Sequence, residues 1–181
     1  MALGRDIKRA WEATGRYKVV MTRDRDIFLR LRERVRVARE AGAELFISVH
    51  ADSVANPRTR GLSVYTLSEK ASDKEAAKLA AKENKADLIA GIDLSAESAD
   101  VTNILLDLAQ RETMNQSALF AKEVVGELKR EVKLLRNTHR FAGFAVLKAP
   151  DMPSVLLEAG FLSNRQDERN LLTRKYPPKL A

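Results

Sequence analysis

Leu45-Phe46-Ile47-Ser48-Val49-His50-Ala51-Asp52 is an apolar run that ends in an imidazole and a carboxylate. A second run, Ser154-Val155-Leu156-Leu157-Glu158-Ala159-Gly160-Phe161-Leu162-Ser163-Asn164, carries another carboxylate at the end of its apolar core. Short apolar runs of this kind read as buried strands of a parallel sheet. In open α/β sheets, ligands collect in the crevice outside the carboxyl ends of the strands. His50, Asp52 and Glu158 are therefore expected to converge on one sheet edge. Imidazole plus carboxylates at such an edge is the donor set of a metal-assisted hydrolase.

Outward from these runs, helical and extended patterns alternate. Leu3, Ile7, Ala10 and Trp11 recur at helical spacing, with Gly15 placed as a C-terminal cap. Tyr17 to Thr22 reads as a strand. Phe28, Leu31, Val35 and Ala38 mark a second helix, capped by Asp26 and closed near Gly42. Asn56-Pro57 lies in a loop, and Leu62, Val64, Tyr65 and Leu67 belong to a strand over 61–67. Ser72-Asp73-Lys74-Glu75 reads as a capping box opening a helix that carries Glu83.

Residues 86–100 lose the period and read as a loop, and a long helical region follows over roughly 100–133. Phe144-Ala145-Val146-Leu147 and Val155-Leu156-Leu157 read as closing strands, and a last helix runs from near Asn164 to Tyr176-Pro177-Pro178. The alternation gives an α/β fold with a mostly parallel sheet flanked by helices. Residues 72–133 read as a helical insertion into it. The pattern opens on a helix where a doubly wound unit starts with a strand, so the fold is expected to lack its first strand here.

The 181 residues suffice for one domain with a sizeable core. No apolar run approaches the roughly 20 residues that span a bilayer, and the opening residues lack the apolar stretch of a signal peptide. The absence of cysteine excludes disulfides and thiolate metal sites, leaving His, Asp and Glu as metal ligands. The net charge of +7 is concentrated in residues 5–40, with twelve Arg/Lys against six Asp/Glu. Only Trp11, Tyr17 and Phe28 are aromatic there, too few for a base-stacking platform, so a solvated charged face is preferred over a nucleic-acid surface.

His50 and Asp52 are two apart on a strand and share a face. Asp52 is equally readable as a turn carboxylate bonding nearby amides. Glu158 flanks a buried strand, where a carboxylate is costly unless paired, metal-bound or protonated. A salt bridge to an arginine would satisfy it, but general-base chemistry needs such a desolvated group. Glu83 reads by default as a solvent-facing helix position. His139, the second of two histidines, reads as a surface loop residue.

Together with Val19-Val20-Met21-Thr22-Arg23-Asp24, Gly61-Leu62-Ser63-Val64-Tyr65 and Phe144-Ala145-Val146-Leu147-Lys148-Ala149-Pro150, the two runs resemble the zinc-dependent N-acetylmuramoyl-L-alanine amidases of the bacterial cell-division type. The resemblance covers essentially the whole chain. Glu83-Asn84-Lys85-Ala86-Asp87-Leu88-Ile89-Ala90-Gly91 is similar to the segment that plugs the active site of autoinhibited members. It implies a peptidoglycan hydrolase that cuts the amide between N-acetylmuramic acid and L-alanine of the stem peptide. It further implies His50 as a zinc ligand with Asp52 as a further candidate, Glu158 as the catalytic glutamate and Glu83 as the autoinhibitory carboxylate. The partners it implies are peptidoglycan and a protein activator acting on the insertion, in the periplasm, with no nucleic acid.

The family also opens with a strand ending in Gly-His-Gly-Gly, followed by a zinc-binding glutamate, and this sequence contains neither. The chain is therefore expected to be an inactive fragment, a domain over 1–181 incomplete at both ends, with the other zinc ligands upstream. Two alternatives are a non-catalytic module binding peptidoglycan or a regulator, and a different metallohydrolase such as a phosphoesterase. Metal content and muropeptide release separate the first alternative from the amidase. The second needs further ligands at other strand ends.

Overall fold

The two apolar runs form neighbouring parallel strands, β1 (Phe46–His50) and β4 (Ser154–Glu158), in register from Phe46↔Ser154 to His50↔Glu158. The computed structural model describes residues 2–86 and 103–173. Strand β2 (Leu62–Leu67) pairs antiparallel with β4 and parallel with β3 (Leu134–Ala142), giving the order β1-β4-β2-β3. The sheet is thus mixed, with parallel pairing at β1–β4 and β2–β3.

Strand alternation divides the core in two. Phe46, Tyr65, Ala142 and Leu156 pack with Leu31 and Ala38 of α2 (Leu31–Glu40) and with Ala76, Leu79 and Ala80 of α3 (Lys74–Asn84). Leu62, Val64, Val155 and Leu157 pack on the other face against Ala121 and Leu128 of α4 (Asn103–Leu128). Leu3 of α1 (Ala2–Ala13) and Leu171 of α5 (Arg165–Leu172) adjoin that second cluster. Leu156 is 1% exposed, so its truncation to alanine is expected to cost about 2–5 kcal/mol. Ser48, His50 and Glu158 share strand parity with Phe46 and Leu156, which turns them to the α2–α3 side.

Several expectations are corrected. Residues 17–22 form no strand and are not part of the four-stranded sheet of the described residues. Phe144-Ala145-Val146-Leu147 is a 3₁₀ turn (Ala145–Leu147), not a strand. Asn84 donates to the Gly143 carbonyl and accepts from the Ala145 N–H, both at 2.8 Å, so it occupies groups a neighbouring strand would use. His139 lies in β3, not in a loop. Helix α2 begins at Leu31 rather than after Asp26, with the Glu33 carboxylate accepting from the Arg30 N–H at 3.0 Å. The cap of α3 is Asp73, whose Oδ1 accepts from the Glu75 and Ala76 amides at 2.9 Å, and not Ser72. The loop expected at 86–100 lies, from residue 87 on, outside the described residues, as does the stop at Tyr176-Pro177-Pro178.

Candidate metal centre

His50 ends β1 with both ring nitrogens engaged. Nδ1 lies 3.2 Å from Asp52 Oδ2, and Nε2 lies 3.0 Å from Ser48 Oγ and 3.6 Å from Glu83 Oε1. One ligand atom from each of His50, Asp52 and Glu83 falls within 4.8 Å of the others, the spacing of groups that can share one ion. One imidazole and two carboxylates, all half-buried, fit a zinc ion by donor chemistry. A carboxylate on Nδ1 would fix the ring so that Nε2 presents its lone pair, the usual support of a metal-bound imidazole. Burial raises the Asp52 pKa, but the His50 ring and the Lys82 ammonium at 2.7 Å outweigh it and hold the carboxyl below its ordinary value.

Glu158 is fully buried at the register position opposite His50. Its Oε1 accepts from the Asp52 N–H at 2.9 Å, and its Oε2 has no hydrogen-bond partner among the described residues. Burial pushes its carboxyl up to about 8, with the nearby Asp52 charge adding to the rise and the Asp52 amide opposing it. An unpartnered oxygen in so dry a position is costly unless it is protonated or meets a ligand.

The last turn of α3 closes over this edge through consecutive residues. Lys82 reaches Asp52, Glu83 reaches His50 and also accepts from Arg34 at 3.4 Å, and Asn84 clasps Gly143 and Ala145. Below the edge, Asp167 Oδ2 accepts from the Gly61 N–H at 2.7 Å and from the Phe161 N–H at 3.2 Å. Gly160, at φ +151°, adopts a backbone conformation that strains any side chain, and a Cβ there would crowd Asp167 Cβ at 3.2 Å. Asp167 thus fixes both the start of β2 and the turn that follows Glu158.

The structure brings His50, Asp52 and Glu83 together and sets Glu158 on the neighbouring strand. His139 is not brought to them. It hydrogen-bonds Thr66 at 2.9 Å on the sheet face covered by α4, opposite His50. Ser48, Arg34, Lys82, Asn84 and Asp167 were not singled out from sequence. Period-2 alternation from His50 points to Ser48. No local pattern points to Arg34, which comes from another helix.

The sequence model of the N-acetylmuramoyl-L-alanine amidase family matches residues 1–181, and the chain belongs to that family. AmiC of Escherichia coli O6:H1, an N-acetylmuramoyl-L-alanine amidase, is 40% identical over 182 residues, covering 100% of this chain and 43% of that protein. AmiC of Neisseria meningitidis serogroup B is 41% identical over 182 residues, with the same shares of 100% and 43%. The chain therefore spans less than half the length of these curated relatives. Among solved structures, the amidase AmiC2 of Nostoc punctiforme superposes with a TM-score of 0.59 at 26% identity, covering 98% of this chain and 73% of that one. Ami1 from Mycobacterium smegmatis gives a TM-score of 0.65 at 20% identity over 98% and 68%, a likeness of fold.

Proposed function

We propose, taking membership of that family as the premise, that the chain is the catalytic domain of a zinc-dependent peptidoglycan amidase. Its substrate is the amide between the lactyl group of N-acetylmuramic acid and L-alanine of the stem peptide. The observation that carries this reading is the buried Glu158 carboxyl with one oxygen unpartnered among the described residues, in register with His50. Such a group is poised to exchange a proton near neutral pH.

In this reading His50 would be a ligand of the metal. Asp52 orients the ring through Nδ1, and is a direct ligand only if Lys82 releases it. Zinc, when bound, supplies the Lewis acid that polarises the lactyl carbonyl and lowers the pKa of water. Glu158 takes the proton of the attacking water and passes it to the amine of the departing L-alanine. The strand-end position of Glu158, tethered to the Asp52 amide, keeps its free oxygen aimed at one place through both transfers.

Glu83 is proposed as the inhibitory carboxylate, since its Oε1 at 3.6 Å from His50 Nε2 stands where substrate or water must enter. Release then needs an activator that binds the helical insertion of about 72–133 and draws α3 away, a helix-in-groove contact. A periplasmic site of action is part of the same proposal, supported by relatives that are N-acetylmuramoyl-L-alanine amidases. Hydrolysis is proposed for a ligand-complete protein, meaning the 181 residues joined to the family's Gly-His-Gly-Gly strand and its following glutamate. For the 181 residues alone we expect weak zinc binding and no hydrolysis, because a single histidine serves the site. Zinc analysis after gel filtration and muropeptide release test both statements. Stoichiometric zinc or cleavage by the chain alone overturns the second, and an inactive, zinc-loaded ligand-complete protein overturns the first.

A further inference from the structure

The strand order sets the starts of β2 and β3 on the same sheet edge as the ends of β1 and β4, because β2 runs antiparallel to β4 and pairs Ser63 with Glu158. On this edge, on the side of Glu158 away from His50, lies an open groove of about 610 Å³. Arg58, Arg60, Lys133 and Arg136 line it, together with Glu75 and Arg140.

Two of these charges are already matched. Arg140 is buried and bonds Tyr65 Oη at 2.9 Å and the Asp73 carboxylate, and its Nη2 lies 3.4 Å from Glu75 Oε2. Arg60 Nε lies 3.6 Å from Asp167 Oδ1. Arg58, Lys133 and Arg136 are exposed and make no side-chain ion pair among the described residues. The groove therefore offers three cations to solvent, and Glu75, the only carboxylate among its described lining residues, is already engaged.

Neighbouring strands lie about 4.8 Å apart, so the groove at β2 and β3 begins roughly 5–10 Å from Glu158. An extended peptide advances about 3.3 Å per residue, which brings its second and third residues to the groove when its first sits at the cut bond. N-acetylated sugars are neutral and gain nothing from unpaired cations. Carboxylates at the second and third peptide residues do.

We propose that this groove takes the peptide side of the substrate, Arg58, Lys133 and Arg136 binding the carboxylates of an acidic peptide that runs from Glu158 across β2 to β3. The inference rests on the amidase reading and adds to it the polarity of the substrate across the sheet edge. The sugar side is then left to the β1 flank.

The test uses the 181-residue chain and two probes, L-alanyl-γ-D-glutamyl-diaminopimelic acid and its fully amidated counterpart. Binding is followed by titration of backbone amide resonances. The acid is expected to shift residues 58–60 and 133–137 and to bind roughly five- to tenfold more weakly to the Arg58→Gln/Arg136→Gln double variant. The amidated probe should bind the parent as weakly and lose nothing further in the variant. Arg36→Gln, which breaks only the exposed pair with Glu40 on α2, should leave binding unchanged.

Equal binding of acid and amide, an unaffected double variant, or no binding at all overturns the proposal. A short polyphosphate that binds more tightly than the acid peptide, and is lost in the same variant, also overturns it and reassigns the groove to phosphate polymers. Muropeptide hydrolysis by the ligand-complete protein is scored separately. Hydrolysis without carboxylate preference rejects the groove alone, whereas loss of both rejects the amidase reading with it.

Discussion

His50 and Glu158 are register partners across the parallel β1–β4 pair, and the strands stay locked beyond them by the Ala159 N–H donating to the His50 carbonyl at 2.9 Å. The imidazole and the buried carboxyl are thus held by backbone ladders rather than by loops. Their separation cannot drift without breaking strand pairing. Such support would keep the proposed metal ligand and the proposed general base in fixed relation.

Glu83→Ala should raise basal muropeptide hydrolysis in the ligand-complete protein without any activator. A rise of roughly tenfold corresponds to removing about 1.4 kcal/mol of competition at the metal. Asn84→Ala should act in the same direction, since it frees the turn that carries Glu83 from Gly143 and Ala145. Unchanged or lower basal rates in both variants would return Glu83 to a purely structural pairing with Arg34.

The metal-free chain should lose stability as pH rises from about 4.5 to about 8. Glu158 is raised in the folded state, so the folded protein holds a proton that the unfolded chain has already released above its ordinary value of 4.5. The contribution is fully present below that value and is lost as pH climbs through about 8. Within the window the slope approaches about 1.4 kcal/mol per pH unit. Urea melts of the parent and of Glu158→Gln across pH 5–8 measure it. Parallel pH dependences in the two proteins would contradict the assignment.

Asp167→Ala should destabilise the fold by ~3 kcal/mol, because it strands the Gly61 and Phe161 amides in a buried position. Denaturant midpoints check the size. A loss below about 0.5 kcal/mol, the range of ordinary surface substitutions, would show that the turn after Glu158 holds without it.

Strands β1 and β4 were legible because each carries a short apolar core, Phe46, Ile47 and Val49 in one and Val155, Leu156 and Leu157 in the other, that ends in a residue able to do chemistry. Strand β3 was not, because Leu134-Leu135-Arg136-Asn137-Thr138-His139-Arg140-Phe141-Ala142 is largely polar and its pairing with β2 breaks register between Leu62 and Val64. Arg140 can be buried there only because Asp73 and Tyr65 meet it, partners that lie far away in sequence. Phe144 to Leu147 looked like a strand because turn residues buried in a core are as apolar as strand residues. Its distinguishing partner, Asn84, sits on another element. At the site, the strand-end residues His50, Asp52 and Glu158 could be read directly. The closeness of Glu83 to His50 came only through family resemblance, since nothing in helical periodicity tells which helix end will fold over a strand.

Zinc content and turnover, measured on the same preparations of His50→Ala and Glu158→Gln in the ligand-complete protein, test the central claim most directly. The account predicts that His50→Ala loses its zinc. Glu158→Gln should keep the fold and the zinc and lose about 10²–10⁴-fold in muropeptide hydrolysis. A zinc-free Glu158→Gln would make Glu158 a ligand, and a zinc-loaded variant with near-parental turnover would make it a structural carboxyl. Either result contradicts the mechanism.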